Sequence, residues 1–200
     1  SIDGGANPDF AVDLAVTSGA DKLKLAGTMT TKGEGRMKLT GDQLALAPYA
    51  ALGKHYGKVE ELQGGLGKLA LLYVNKNGKQ RFSGEAKLAA LSGKLSLAGE
   101  RHSVKLDGLV RADENLISVS SLDAVVDGQK LHLEGEADLR NTDAPSGFGV
   151  LSSDALTYNG YKVEKLHLPF NVSKDVVQLH DVSAQYGGGT ITANGTYDLK

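Results

Sequence analysis

Leu23-Lys24-Leu25-Ala26-Gly27, Leu95-Ser96-Leu97-Ala98-Gly99 and Leu131-His132-Leu133-Glu134-Gly135 are three versions of one five-residue phrase. Met37-Lys38-Leu39-Thr40-Gly41, Val104-Lys105-Leu106-Asp107-Gly108 and Ile191-Thr192-Ala193-Asn194-Gly195 repeat it with small changes. Apolar and polar residues alternate, the period of a strand with one dry face and one wet face. The glycine shares the parity of the leucines, so it belongs to the dry face. Ala137 and Leu139 keep that parity after Gly135, and Tyr197 and Leu199 keep it after Gly195. A glycine within a strand weakens it and marks a bend or a close approach. Placed on the dry face, it lets a sheet curl toward that face. Gly27, Gly41, Gly99, Gly108, Gly135 and Gly195 are therefore the expected curvature positions of an all-β fold. That fold is a long, curved, mostly antiparallel sheet forming an open trough with an apolar interior.

The pattern recurs along the whole chain. Phe10, Val12, Leu14 and Val16 alternate with small or polar residues in a first strand, and strands follow near 22–31, 35–40 and 43–46. Pro48 to Tyr56 breaks the alternation, and its alanines and leading proline predict one short helix near 48–56, ended by Gly57. Strands resume near 58–63, 65–74, 82–88, 93–99, 102–111, 115–126 and 129–140. Others follow near 148–151, 154–158, 161–173, 175–186 and 189–199. Asn77-Gly78, Asp127-Gly128 and Asn159-Gly160 are hairpin signals. Pro169 lies within an apolar alternation and cannot donate to a ladder, so its strand is at an edge or carries a bulge. Residues 141–146 form the best candidate loop and the one candidate seam in an otherwise single segment, 1–200. Roughly 15 strands in one row, at about 4.8 Å each, would span about 70 Å.

Parity selects a lining for the dry side: Leu23, Leu25, Met37, Leu39, Phe82, Leu88, Leu95, Leu97, Val104, Leu106, Leu131, Leu133, Leu139, Leu168, Phe170, Ile191, Tyr197 and Leu199. The same alternation describes the core of a closed sandwich or barrel. Against closure, the dry side is rich in Leu, Ala and Gly, and the chain has no Trp. Small residues leave space, whereas a closed core must be filled to crystal-like density.

Composition excludes several chemistries. With no Cys there is no disulfide framework, thiolate metal site or Cys nucleophile. A net charge of −2, with acids and bases interspersed, leaves no footprint for nucleic acid. His55, His102, His132, His167 and His180 have no zinc-like spacing and are expected at the surface. No Gly-Lys pair precedes Ser or Thr, so there is no phosphate-cradling P-loop. No Gly-x-Ser-x-Gly elbow occurs. Asp123 and Asp127 are expected as solvated carboxylates on one face. The expectation is a protein that is not an enzyme and needs no cofactor or metal. No run approaches 18 apolar residues, so no helix is expected to span a membrane. The absence of a leader and the strand-like last residues are expected of a mature form or an excised piece of a longer protein.

The stretch from Val177 to Leu199, with Gly187-Gly188-Gly189 between two alternating runs, resembles the AsmA/TamB-like superfamily of envelope proteins, the TamB-like branch more than the AsmA-like. Lys58 to Leu69, with Gly64-Gly65 and Gly67, resembles other passages of that superfamily. The similarity of style covers most of the chain. It implies a taco-shaped β-sheet in the periplasm of a diderm bacterium, its groove carrying phospholipid acyl chains between inner and outer membranes. It also implies an inner-membrane anchor and an outer-membrane β-barrel partner outside this chain. The alternative is a periplasmic β-scaffold that assists outer-membrane protein assembly by β-augmentation.

Overall fold

Hairpin turns reverse the chain repeatedly, and each reversal lays a new strand beside the one before it. The computed structural model describes residues 9–50, 59–97, 100–141, 143–158 and 160–198. Twelve strands run in chain order: β1 (Asp9–Ser18), β2 (Asp21–Thr30), β3 (Gly35–Ala45), β4 (Val59–Lys76), β5 (Lys79–Leu97), β6 (Glu100–Asp113), β7 (Leu116–Val126), β8 (Gln129–Asp138), β9 (Ser146–Tyr158), β10 (Tyr161–Ser173), β11 (Val176–Tyr186) and β12 (Gly189–Asp198). They form one sheet in that same order, and every registered pair is antiparallel. β1 and β12 are its two edges, so the sheet is open and does not close into a barrel. Eleven spacings of about 4.8 Å give it a length of about 53 Å, shorter than the sequence estimate because fewer strands form.

Turn chemistry explains the meander. Asn77 and Gly78 have φ of 53° and 72°, and Asp127 and Gly128 have 49° and 83°. Positive φ at both central residues matches the right-handed twist of the flanking strands, and Asn-Gly and Asp-Gly supply it most easily. Tyr158 pairs with Tyr161 around the third expected turn, with Gly160 at φ 80° and Asn159 outside the described residues. Asn141 to Pro145 connects β8 to β9 within the same sheet, and β8 pairs with β9 from Asp138↔Ser146 to His132↔Ser152. The expected seam therefore lies at a loop inside one continuous sheet.

Four expected breaks are absent. Residues 35–46, 58–74, 82–99 and 148–158 were each expected as two strands, and the described part of each lies in one, β3, β4, β5 and β9, except Leu46, which leads into the turn after β3. In β4 and β5 the reason is bulges, which shift the alternation without ending the strand. Pro169 sits in β10, an interior strand, where pairing with β11 shifts register between His167 and Phe170. Of the two expectations for Pro169, the bulge is the one observed. Of the helix expected near 48–56, the described residues show a 3₁₀ turn, Ala47–Tyr49, with Pro48 in its first turn, followed by Ala50 in helical conformation. Residues 51–58 lie outside the described part.

Among the described residues no second layer covers the sheet. Ala184 is the only buried apolar residue among those described, and no large side chain is fully buried. Strands make their substantial contacts only with their sequence neighbours. A closed sandwich would bury both inner faces, so the open sheet is the architecture.

Candidate functional site: one face of the open sheet

Register places the repeats side by side. Leu14↔Leu25↔Leu39↔Leu71↔Gly84↔Ala112 is one row across β1 to β6. It continues as Ile117↔Ala137↔Gly147↔Val172↔Val177↔Tyr197 across β7 to β12. Two residues along each strand runs a second row, from Val16↔Leu23↔Gly41↔Leu69 through Ala86↔Val110↔Val119↔Gly135 to Gly149↔Phe170↔Leu179↔Gly195. Neither row contains a charged or amide residue. The row between them, on the opposite face, reads Lys24, Thr40, Ala70, Glu85, Arg111, Ser118, Glu136, Phe148, Asn171, Gln178 and Thr196. Ion pairs stitch that polar face, with Arg111 Nε 3.3 Å from Glu85 and His132 Nδ1 2.8 Å from Asp123.

Bulges keep the apolar side continuous where the sequence parity changes. Leu88 faces Gly108 and Leu91 faces Leu106, so three residues of β5 span two of β6. Ala90, inside that bulge, has φ 48°, and its N–H donates to Asp107 Oδ1 at 2.7 Å. The same device recurs in β11, where Asp181 has φ 49° and its N–H donates to Asn194 Oδ1 at 2.6 Å. Leu179 and Val182 flank this bulge, facing Gly195 and Ala193. β7 carries a further bulge between Val119 and Leu122. A third row, Leu44↔Leu66↔Leu88↔Gly108↔Leu122↔Leu133↔Leu151↔Leu168, follows from β3 to β10. Even-numbered Phe82 and Leu88 and odd-numbered Leu95, all on β5, thereby belong to one surface, whereas strict alternation would separate them.

Met37 and Phe82 pair with Tyr73, whose ring centroid is 4.8 Å from that of Phe82. Val104 faces Gly93 and Val126, Leu106 faces Leu91 and Ala124, and Leu131 faces Ala124. Leu139 lies just beyond β8, its N–H donating to the Asn115 carbonyl at 2.7 Å. Ile191 and Tyr197 are on β12 and are 50% and 65% exposed. Leu97 pairs with Glu100, while Leu199 and Gly99 lie outside the described residues.

The glycines differ among themselves. A Cβ on Gly135 would stand 2.5 Å from the Phe148 carbonyl oxygen and 2.9 Å from Gly149 Cα. Gly108, at φ 156°, is similarly closed by the backbone of Ser121 and Leu122, and Gly27 by Arg36 and Met37. Gly41 is crowded by the side chain of Leu44. Gly195 has nothing within 4 Å, so no steric constraint requires glycine there.

Polar groups appear near the margins of this face. Asn75 pairs with Gly35, its Nδ2 donates to the Gly33 carbonyl at 2.9 Å, and its buried Oδ1 has no partner. His102, expected at a strand flank, is within β6 opposite Leu95 and stands 2.7 Å from Asp127. That hydrogen bond, with another from the Ser103 N–H, holds the Asp127 carboxyl below its ordinary pKa. Asp127 is thus a turn residue, not a strand carboxylate sharing a face with Asp123. Ser153 is buried and donates to the Lys130 carbonyl at 2.6 Å. On the opposite face His132 is held above its ordinary pKa by its hydrogen bonds to Asp123 and then Glu134.

Sequence reasoning passed over Asp107, Asn194 and Phe148. The first two carry a signal, an Asx residue directly ahead of a repeat glycine. Phe148 is 59% exposed on the polar side, and alternation gives no reason for it. Among the described residues no group of three or more metal-ligating side chains forms, and no helix is long and apolar enough to cross a membrane. No family model matches the chain, and no curated protein or solved structure matches it.

Proposed function

We propose that this chain is a segment of an AsmA/TamB-like envelope lipid-transfer protein. Its apolar face curls into a groove that carries phospholipid acyl chains between inner and outer membranes, across the periplasm. One observation carries the reading: two adjacent apolar rows cross all twelve strands without a charged or amide side chain. Each buried CH₂ is worth about 0.8 kcal/mol, so a 16-carbon chain leaving a bilayer for water loses on the order of 12 kcal/mol. A continuous dry path removes that barrier, and headgroups stay in water along the open side. The path needs no catalytic residue and no cofactor. The resemblance of Val177–Leu199 to the superfamily points the same way, and it implies an inner-membrane anchor elsewhere in the full-length protein and an outer-membrane β-barrel as partner. Native mass spectrometry of the chain purified with mixed phospholipids tests it. Co-bound phospholipid that Leu133→Arg abolishes is the expected result, and a lipid-free chain overturns the reading.

A further inference from the structure

Four adjacent positions on the apolar face carry one methyl group between them: Gly135 and Ala137 on β8, facing Gly149 and Gly147 on β9. Ile117 and Val119 of β7 stand along one side, and Val172 and Phe170 of β10 along the other. These residues line a slot of about 250 Å³ that reaches Leu133 at one end and Pro145 and Ser146 at the other. The slot follows the strand direction, transverse to the rows, and its Pro145–Ser146 end lies where the chain enters β9. A Cβ on Gly149 would lie 2.8 Å from Phe170 Cζ, so that ring leans over the glycine floor.

We infer that this slot is a lateral mouth of the groove, which takes the tail of a single acyl chain from the rim, with Phe170 as the side chain it must pass. The inference rests on the lipid-carrying reading above. Strands β7 and β10 are three spacings apart, about 14 Å. Less the thickness of the walls, this is too narrow for a helix, which needs about 10–12 Å. The floor strands are paired on both sides and offer no free edge to an added strand. A hydrocarbon tail needs neither width nor hydrogen bonds. The volume lies below the about 300–1,000 Å³ of sites for drug-sized ligands, which fits one tail and excludes a two-tailed lipid with its headgroup.

Photolabelling the chain with a palmitic acid bearing a terminal diazirine tests this, with adducts mapped by mass spectrometry. Adducts should concentrate on Ile117, Phe170 and Val172 rather than on Leu39 and Leu71 of the same face. Ala137→Phe fills the slot and should cut those adducts about tenfold, a loss of about 1.4 kcal/mol, with labelling of Leu39 and Leu71 unchanged. Phe170→Ala opens the slot instead and should extend adducts to Leu151 and Leu168. Even labelling along the face, or a pattern unaltered in Phe170→Ala, overturns the slot and leaves the groove standing. Labelling of Leu39 and Leu71 alone also overturns it. No labelling anywhere on the face overturns the groove reading as well.

Discussion

A methyl group placed on Gly135 meets the neighbouring strand's backbone, whereas one on Gly195 meets nothing within 4 Å. Valine is intrinsically the better strand residue at both positions, by up to about 1 kcal/mol. Gly135→Val should nevertheless destabilise by about 1–3 kcal/mol, the scale of overpacking against atoms that cannot give way. Gly195→Val should be neutral or mildly stabilising, and urea unfolding of the two variants checks the contrast. At His132 both ring nitrogens face carboxylates, Nδ1 toward Asp123 at 2.8 Å and Nε2 toward Glu134 at 3.3 Å. Both nitrogens donate only in the imidazolium form. Its folded pKa lies above the ordinary 6.5. The stabilisation is therefore fully present below the unfolded pKa and is lost as pH rises through the folded one. Exposed pairs of this kind contribute about 0–1 kcal/mol. The unfolding midpoint should thus fall modestly as pH rises above that range, and Asp123→Asn should flatten the dependence.

Bulges decide the elements. A strict two-residue period describes β2, whose exposure alternates from Lys22 to Leu25. In β5 the period breaks at Ala90, and sequence alone turns that break into a strand end. The strand continues because the freed N–H of Ala90 finds Asp107 on the next strand, which keeps a backbone donor satisfied. Asp107→Ala should therefore cost about 0.5–1.5 kcal/mol, the net value of one hydrogen bond, and Asp107→Asn should recover most of it. Amide exchange at Ala90, accelerated in Asp107→Ala but not in Asp107→Asn, is the direct measurement. The hairpins were legible because Asn77-Gly78 and Asp127-Gly128 set their own dihedrals. The bulge clamps were not, since Ala90 and Asp107 are far apart in sequence and meet only through pairing.

For the whole molecule, openness governs how the apolar face tolerates charge. A closed core would unfold around an unpaired buried charge, but a single-layer sheet lets a long side chain reach water. Leu133→Arg should keep wild-type-like circular dichroism and melt within a few degrees of the parent, while losing bound lipid. Collapse of the fold would show that Leu133 is packed under a second layer. The sequence by itself determined the meander of antiparallel strands, the alternation of apolar and polar residues along them and several of its turns. Each depends on neighbouring residues, through side-chain period and turn dihedrals. Only the tertiary structure decided that even and odd parities join one surface, and that no second layer of the described residues covers it. Bulge positions depend on the register between strands, and a missing second layer is a property of what packs against the sheet, which no local pattern encodes.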